Sequence, residues 1–133
     1  MKVLADTHTV MWYLQGGGAL SATASQVLRE AAETDLIVVS AATLVDLWYL
    51  RSKQREFTHE QIRLIRDEIV NPVGDFALAP VNLGVVDAFE TIDADALRDP
   101  WDRLITATAM SLELPLVGRD RKIAGLGLVE VIW

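Results

Sequence analysis

The sequence predicts an α/β fold with a small, mainly parallel central sheet. Short apolar runs rich in Val, Ile and Leu alternate with longer segments of helical periodicity, which is the pattern of βαβ units. A chain of 133 residues suits one core, and a hydrophobic content of 51% excludes a disordered chain. We therefore expect residues 1–133 to form a single domain.

Two buried strands are predicted in the first half of the chain. Lys2–Asp6 is a short apolar run that ends in an acid, and the helix after it stops at Gly16–Gly18. Ser21 is placed to cap a second helix, whose apolar residues recur at helical spacing. Residues 36–39 are wholly apolar, which is typical of a central parallel strand. Ser40 is then expected to cap the next helix.

The second half continues the alternation. Thr58 and Gln61 have the spacing of a capping box, which predicts a helix start. Residues 76–80 are a weaker strand candidate because they include Ala and Pro. The remaining predicted elements are helices over 81–90 and 100–112 and strands over 114–118 and 128–133.

The charge and composition limit the possible partners. A net charge of −7 does not by itself favour nucleic acid, whose binding proteins usually carry a basic surface. Basic residues nevertheless gather near some of the acids considered below, at Arg51, Lys53, Arg55, Arg98, Arg103, Arg119, Arg121 and Lys122. No Cys is present, so any metal would have oxygen or imidazole ligands. Short apolar runs and the lack of a signal-peptide pattern predict a cytoplasmic protein without a membrane partner.

Some acids stand where α/β proteins place functional groups. Two follow predicted strands, one lies in the second turn of a helix after a strand, and two lie at a helix start. Active sites of open α/β sheets form outside the carboxyl ends of the strands, so these side chains are candidates for one shared pocket. If they meet, they form a site for a divalent metal. The five candidates are Asp6, Asp46, Asp99, Asp102 and Asp120.

Four of the five acids also have structural explanations. Asp is a favoured N-cap, Pro is favoured at the first helical position and an acid in the first turn favours the helix dipole, so Asp99 and Asp102 suit a plain helix start. Asp6 has equal claims as a cap and as a catalytic acid. Asp120 is flanked by basic residues, and a surface ion pair is its simpler explanation.

Asp46 is the acid that local structure explains least. Its neighbours one helical turn away are Ala42, Thr43, Tyr49 and Leu50, none of which is a cation. An unpaired buried carboxylate costs on the order of several kcal/mol. Compensation has to come from outside the helix, from a metal or from an Arg distant in sequence, and a functional role is favoured.

Other polar and aromatic residues carry less weight. His8 and His59 lack the spacing of a histidine metal site. Thr7 and Ser40 are candidates for orienting nearby carboxylates, although capping is the simpler role for Ser40. Trp12 and the other aromatic residues are interpreted as core or interface residues rather than as platforms for nucleic-acid bases.

Four segments occur in a characteristic order: Leu4–His8, Val39–Asp46, Arg98–Ile105 and Val117–Asp120. Together they resemble the PIN-domain ribonucleases, in particular the VapC toxins of type II toxin–antitoxin pairs. The resemblance covers the whole chain, including its length and its closing Trp133. It implies a PIN-like three-layer α/β/α domain with an acidic pocket for Mg²⁺ or Mn²⁺.

The resemblance also implies roles for the five acids. The family's acids map to Asp6, Asp46, Asp102 and Asp120, with Asp99 as an extra acid of the subgroup. In the implied mechanism, Asp6 and Asp102 hold the principal metal, Asp46 and Asp99 complete the site, and Asp120 supports a second metal or positions water. The implied substrate is RNA, and the implied partners are a cognate VapB antitoxin and a second copy of the chain within a larger assembly.

Two residues depart from the family pattern. Asp46 stands where the family usually has Glu, and Gly118 stands where a hydroxyl residue is common, which removes a possible donor to Asp120. A PIN-like binding module without catalysis is therefore an alternative. A haloacid-dehalogenase-like phosphatase is a third interpretation, from an acid after the first strand, but that family places a second Asp where His8 stands.

Overall fold

The structure is a computed structural model that describes residues 1–53 and 57–133. The strands in these ranges are β1 (Val3–Ala5), β2 (Ile37–Ser40), β3 (Phe76–Ala79), β4 (Leu116–Val117) and β5 (Val131–Ile132). The helices are α1 (Thr7–Leu14), α2 (Ala22–Thr34), α3 (Ala41–Lys53), α4 (His59–Val70), α5 (Leu83–Thr91), α6 (Pro100–Leu112) and α7 (Arg121–Gly125). Arg55, one of the basic residues noted in the sequence, lies outside the described ranges.

The strands form one sheet in the order β3-β2-β1-β4-β5. Every pairing is parallel, as the sequence predicts. β1 pairs with β2 on one side and with β4 on the other, where Ala5 lies opposite Val117. The chain moves outward from β1 to β3 and later returns to the opposite side of β1. Such a reversal is a topological switch point, where ligands of open α/β sheets bind.

Helices cover both faces of the sheet because successive side chains of a strand point to opposite faces. In β1, Val3 and Ala5 pack in one apolar cluster with side chains of α1, α2 and α4. Leu4 packs in a second cluster with side chains of α5, α6 and α7. All three residues are fully buried. The expected α/β/α layering is confirmed.

Several helices begin where the sequence predicts. Ser21 Oγ accepts a hydrogen bond of 3.0 Å from a backbone amide in the first turn of α2. Thr58 and Gln61 form a capping box, with bonds of 2.8 and 3.1 Å. Ser40 Oγ accepts from the Ala42 amide at 3.1 Å, at the start of α3. No helix in the described part of the chain is long and apolar enough to cross a membrane.

Several predicted strands have other limits in the structure. Only Leu116–Val117 of the predicted strand over 114–118 and Val131–Ile132 of that over 128–133 are paired in the sheet, as β4 and β5. β2 begins at Ile37, because Leu36 has a φ of 80° and its amide donates to a carbonyl of the last turn of α2 at 2.8 Å. The start of β2 is therefore set by the end of the preceding helix.

Candidate functional site

A cavity of about 280 Å³ lies beside the ends of β1 and β4, the strands at the switch point. All five candidate aspartates line it, although they come from four different parts of the chain. The lining residues are Asp6, Thr7, His8, Trp12, Asp46, Leu50, Asp99, Asp102, Arg119 and Asp120. The topology therefore brings together the acids that the sequence analysis selected.

Asp6 follows β1 directly and caps α1. Its Oδ1 accepts a hydrogen bond of 2.9 Å from the Thr9 amide. Burial raises the pKa of the Asp6 carboxyl, while Thr9 and the charge of His8 favour the ionised form. The Thr9 hydroxyl is buried and makes no hydrogen bond in the described structure, so the backbone amide of Thr9 is the donor that holds Asp6. The cap fixes Asp6 in place, which suits either role predicted for it.

Asp46 points into the cavity from the second turn of α3 and is partly buried. Burial raises the pKa of its carboxyl, and the nearby charge of Asp99 raises it further. The nearby Thr7 hydroxyl acts in the opposite direction and lowers the pKa of Asp46. The hydrogen bond that this hydroxyl donates in the structure goes to the Thr43 hydroxyl, at 3.3 Å, so the predicted role of Thr7 in orienting a carboxylate stays a prediction. The Ser40 hydroxyl instead bonds to the Ala42 amide and lies 3.0 Å from the Thr108 hydroxyl.

Asp99 and Asp102 enter the cavity from the first turn of α6. Asp99 Oδ1 accepts from the Trp101 amide at 2.8 Å and from the Asp102 amide at 3.2 Å, and Pro100 is the first helical residue. The predicted cap is thus confirmed. Asp102 has no such bond to its carboxylate among the described residues. Burial, followed by the charges of the other four acids, raises the pKa of Asp102 to about 7.

Asp120 begins α7. Its Oδ1 accepts hydrogen bonds from the Lys122 amide at 2.8 Å and from the Ile123 amide at 3.4 Å. The ion pair with flanking basic residues that offered its simpler explanation does not form within the described structure. Asp120 is a cap, with its second oxygen available to the cavity.

The five carboxylates share the cavity without a paired cation. Among the side chains that the structure describes, which exclude those of residues 52–56, no Lys, Arg or His side-chain nitrogen lies within 4.0 Å of a carboxylate oxygen of these five acids. Oxygen donors of this kind suit Mg²⁺ or Mn²⁺. Yet no group of three or more His, Asp or Glu side chains in residues 1–53 and 57–133 is arranged to hold an ion as the side chains stand. The donor chemistry fits a divalent metal, and ligation requires the carboxylates to turn toward it.

The basic residues near the acids have different surroundings. Arg119 lines the acidic cavity, and its guanidinium carbon lies 6.0 Å from the centre of the Trp12 ring. Arg103 turns away from the cavity, because its guanidinium lies 4.1 Å from the centre of the Phe89 ring and donates to the Ile92 carbonyl at 3.1 Å. Arg103 therefore joins α6 to α5 rather than serving the site.

Sequence reasoning missed two contributors to this cavity. His8 and Trp12 both line it, one helical turn apart on α1, with ring centres 5.6 Å apart. Because His8 and Trp12 are four residues apart on the helix that follows Asp6, the sequence could have placed them on one helix face near that carboxylate. Gly118 does not line the cavity, but it lies beside the Asp6 carboxylate across the β1–β4 pairing, and the sequence related it to Asp120 instead. Its position depends on strand register, which the sequence does not specify.

The sheet order, the layers and the acid-lined cavity together define an α/β protein with a candidate metal site at its switch point. Residues 3–127 match the family model described as PIN domain. The chain belongs to the PIN domain family, as its motifs indicated. A comparison with curated proteins finds no match.

Solved structures share this fold along nearly the whole chain. VapBC2 from Rickettsia felis, bound to a DNA fragment from their promoter, gives a TM-score of 0.72 at 15% identity, covering 98% of this chain and 97% of that one. DNA-bound VapBC from Salmonella typhimurium gives 0.72 at 16% identity, with coverage of 98% and 96%. FitAcB from Neisseria gonorrhoeae gives 0.65 at 19% identity, with coverage of 98% and 96%. At such identities the likeness concerns the fold alone.

Proposed function

We propose that residues 1–133 form one PIN domain that acts as the toxin of a type II toxin–antitoxin pair. Its activity is Mg²⁺- or Mn²⁺-dependent endoribonuclease cleavage of RNA phosphodiester bonds. One observation carries this proposal: five carboxylates surround one cavity of the described chain without a paired cation. Such a concentration of negative charge is costly unless a metal or protons neutralise it.

The five aspartates have different proposed roles, which follow from their positions around the cavity. Asp6 and Asp102 hold the principal metal, because Asp6 is fixed by its cap and the other four acids all add to the raised pKa of Asp102, which a bound cation would offset. Asp46 and Asp99 complete the site, and Asp120 holds a second ion or a water molecule. When bound, the metal lowers the pKa of a water molecule and stabilises charge on the phosphoryl oxygens.

RNA reaches this acidic cavity with help from Arg119. Its guanidinium lies at the cavity wall, so it attracts a phosphate of the RNA backbone and offsets the repulsion from the carboxylates. Thr7 also lines the cavity and favours the ionised form of Asp46. Arg119 is the side chain that binds the substrate in this proposal.

Removing one charge from the site tests the proposal. Asp6→Asn and Asp102→Asn should each lower Mn²⁺-dependent RNA cleavage by about 100-fold or more, because an amide is a poor ligand for this metal. Asp87→Asn is the matched control, since Asp87 is an exposed acid on α5 that does not line the cavity. Cleavage rates of a labelled RNA, with and without a chelator, provide the measurement.

Two results would count against the nuclease. Unchanged cleavage by Asp6→Asn, or cleavage by the wild type that persists in chelator, would contradict the metal assignment. If the wild type binds no Mn²⁺ at millimolar concentration in calorimetry and cuts no RNA, the non-catalytic binding module becomes the better interpretation. The haloacid-dehalogenase-like phosphatase has no support, because the chain belongs to the PIN domain family.

A VapB-type antitoxin and a second copy of the chain are the proposed partners, in the cytoplasm. A groove of about 800 Å³ between α3 and α4 is lined by Trp48 together with basic side chains that include Arg51, Arg63 and Arg66. Trp48 and Val45 of α3 are 52% and 43% exposed, so apolar surface is available here to a partner. Co-expression with a small protein encoded directly upstream of this chain, if one is found there, should yield a stable complex that no longer cuts RNA, and unabated cleavage by that complex would contradict inhibition.

A further inference from the structure

We propose that Gly118 is a positioning residue for Asp6: the missing side chain at position 118 leaves the space that the Asp6 carboxylate occupies. The steric relation between Gly118 and Asp6 follows from the interatomic distances in the structure alone. Its consequence for metal binding rests on the function proposed above. Nothing in the chemistry of glycine itself is required, only the absence of a Cβ atom.

Strand register brings the two residues together. Ala5 of β1 lies opposite Val117 of β4, so Asp6 and Gly118 follow as neighbours beyond the ends of the strands. The Asp6 amide donates to the Val117 carbonyl at 3.2 Å, and the Gly118 amide donates to the Ile132 carbonyl at 3.1 Å. The backbone on both sides is held by these bonds, and Gly118 is buried.

A side chain at position 118 has no room. A Cβ atom built on Gly118 would overlap Asp6 Oδ2 and would lie 3.1 Å from Asp6 Cγ. The φ of Gly118 lies outside the left-handed region, so other residues can adopt its backbone conformation. The obstacle is therefore steric, and it involves one carboxylate.

The carboxylate has little freedom to move aside. Its Oδ1 already accepts the hydrogen bond from the Thr9 amide that caps α1. A Cβ atom at position 118 would thus turn the carboxylate and weaken the cap, or displace the end of β4. From the sequence, Gly118 was expected to remove a hydroxyl donor to Asp120. The structure gives it a different role, toward Asp6.

A double-mutant cycle on the metal-free protein tests the steric relation. Gly118→Ala should lower the Tm by about 4 °C, as expected for a strained cap. In an Asp6→Ala background most of that loss should vanish, because only the Asp6 Cβ remains, at an ordinary 3.8 Å from the new atom. Gly18→Ala is the matched control: no atom lies within 4 Å of its Cβ, and it changes the unfolded chain in the same way.

Calorimetric titration with Mn²⁺ tests the consequence for the site. Gly118→Ala should weaken Mn²⁺ binding by about 10-fold, as for other changes that misorient a ligand, and Gly18→Ala should leave it unchanged. If the wild type binds no Mn²⁺, the proposed function fails, while the stability cycle still decides the role of Gly118.

The double-mutant cycle can also contradict the role inferred for Gly118. An equal loss of Tm in both backgrounds, or a loss no greater than that of Gly18→Ala, would overturn the inference. If Gly118→Ala alone does not fold, circular dichroism of the double variant decides: recovery of the fold with Asp6→Ala supports the steric relation, and failure in both backgrounds contradicts it.

Discussion

Asp102 illustrates how a shared cavity changes the chemistry of one residue. Burial is the largest cause of its raised pKa, and the neighbouring acids add to it. With a pKa of about 7, the side chain is partly protonated near neutral pH in the metal-free protein. Protons and a divalent metal then compete for the same carboxylate. Metal affinity should consequently rise with pH across neutrality.

Asp102 also makes the metal-free protein sensitive to pH. Its pKa lies above the unfolded value of 3.8, so the folded state binds the proton more tightly than the unfolded state. The stability that this provides is fully present below about pH 4 and is lost as the pH rises through about 7. In chelator, the Tm of the wild type should therefore fall relative to that of Asp102→Asn between pH 5 and pH 8.

The same thermal scans supply the control. Asp87→Asn, on the exposed surface of α5, should follow the wild type at every pH. If the Tm values of the wild type and Asp102→Asn change in parallel with pH, the Asp102 carboxyl titrates alike in the folded and unfolded chains. That result would contradict the prediction.

At the scale of residues, the sequence revealed the acids but not their surroundings. Asp6 and Asp120 could be selected because each follows a predicted strand, and Asp46 because no cation lies within one helical turn of it. The role of Gly118 could not be predicted, since it depends on a contact across the register of β1 and β4. The packing of Arg103 on Phe89 was equally hidden, because it depends on how α5 crosses α6.

Among the elements, the start of α6 combines two functions in one side chain. Asp99 accepts hydrogen bonds from two amides of the first turn and also lines the acidic cavity. The cap needs only an acceptor oxygen, whereas a metal site needs the negative charge. The two functions can therefore be separated by substitution.

Asn and Ala at position 99 should give different results. Asp99→Asn keeps an acceptor, so its stability should stay close to that of the wild type while Mn²⁺ binding weakens. Asp99→Ala loses both functions and should cost about 1 kcal/mol of unfolding free energy as well. Urea denaturation in chelator measures the unfolding free energy of each variant, and calorimetry measures its Mn²⁺ binding. Equal Mn²⁺ affinity in Asp99→Asn and the wild type would remove Asp99 from the site.

Helix starts were easier to predict than strand ends. Ser21, Thr58 and Asp99 cap helices through bonds to their own first turns, so short sequence patterns suffice. The limits of β2 and β5 depend on more distant contacts. Leu36 ends α2 in a left-handed conformation, which is unusual for leucine, and no local pattern announces it.

For the whole molecule, the order of the strands determines where chemistry can occur. β1 and β4 meet at the switch point, and their ends present Asp6 and Asp120 to the same cavity. The alternation of strands and helices was sufficient to predict a parallel sheet. The order of the strands was not predicted, because pairing between distant segments leaves no local signature in a single sequence.

A metal that binds only the folded cavity should stabilise the entire domain. At a free Mn²⁺ concentration of 100 times its dissociation constant, the stabilisation is about 2.7 kcal/mol, which should raise the Tm by several degrees. Asp6→Asn and Asp102→Asn should lose most of this increase, whereas Asp87→Asn should retain it. A rise in Tm of the same size in all four proteins would indicate metal binding elsewhere.

The pairing of Ala5 with Val117 has a consequence for the synthesis of the protein. Asp6 leaves the ribosome early, but the neighbour that completes its side of the cavity is among the later residues to emerge. A nascent chain that has not yet reached β4 lacks Asp120 and the second wall beside Asp6. We therefore expect the proposed nuclease to be inactive until β4 and Asp120 have been synthesised and β4 has paired with β1.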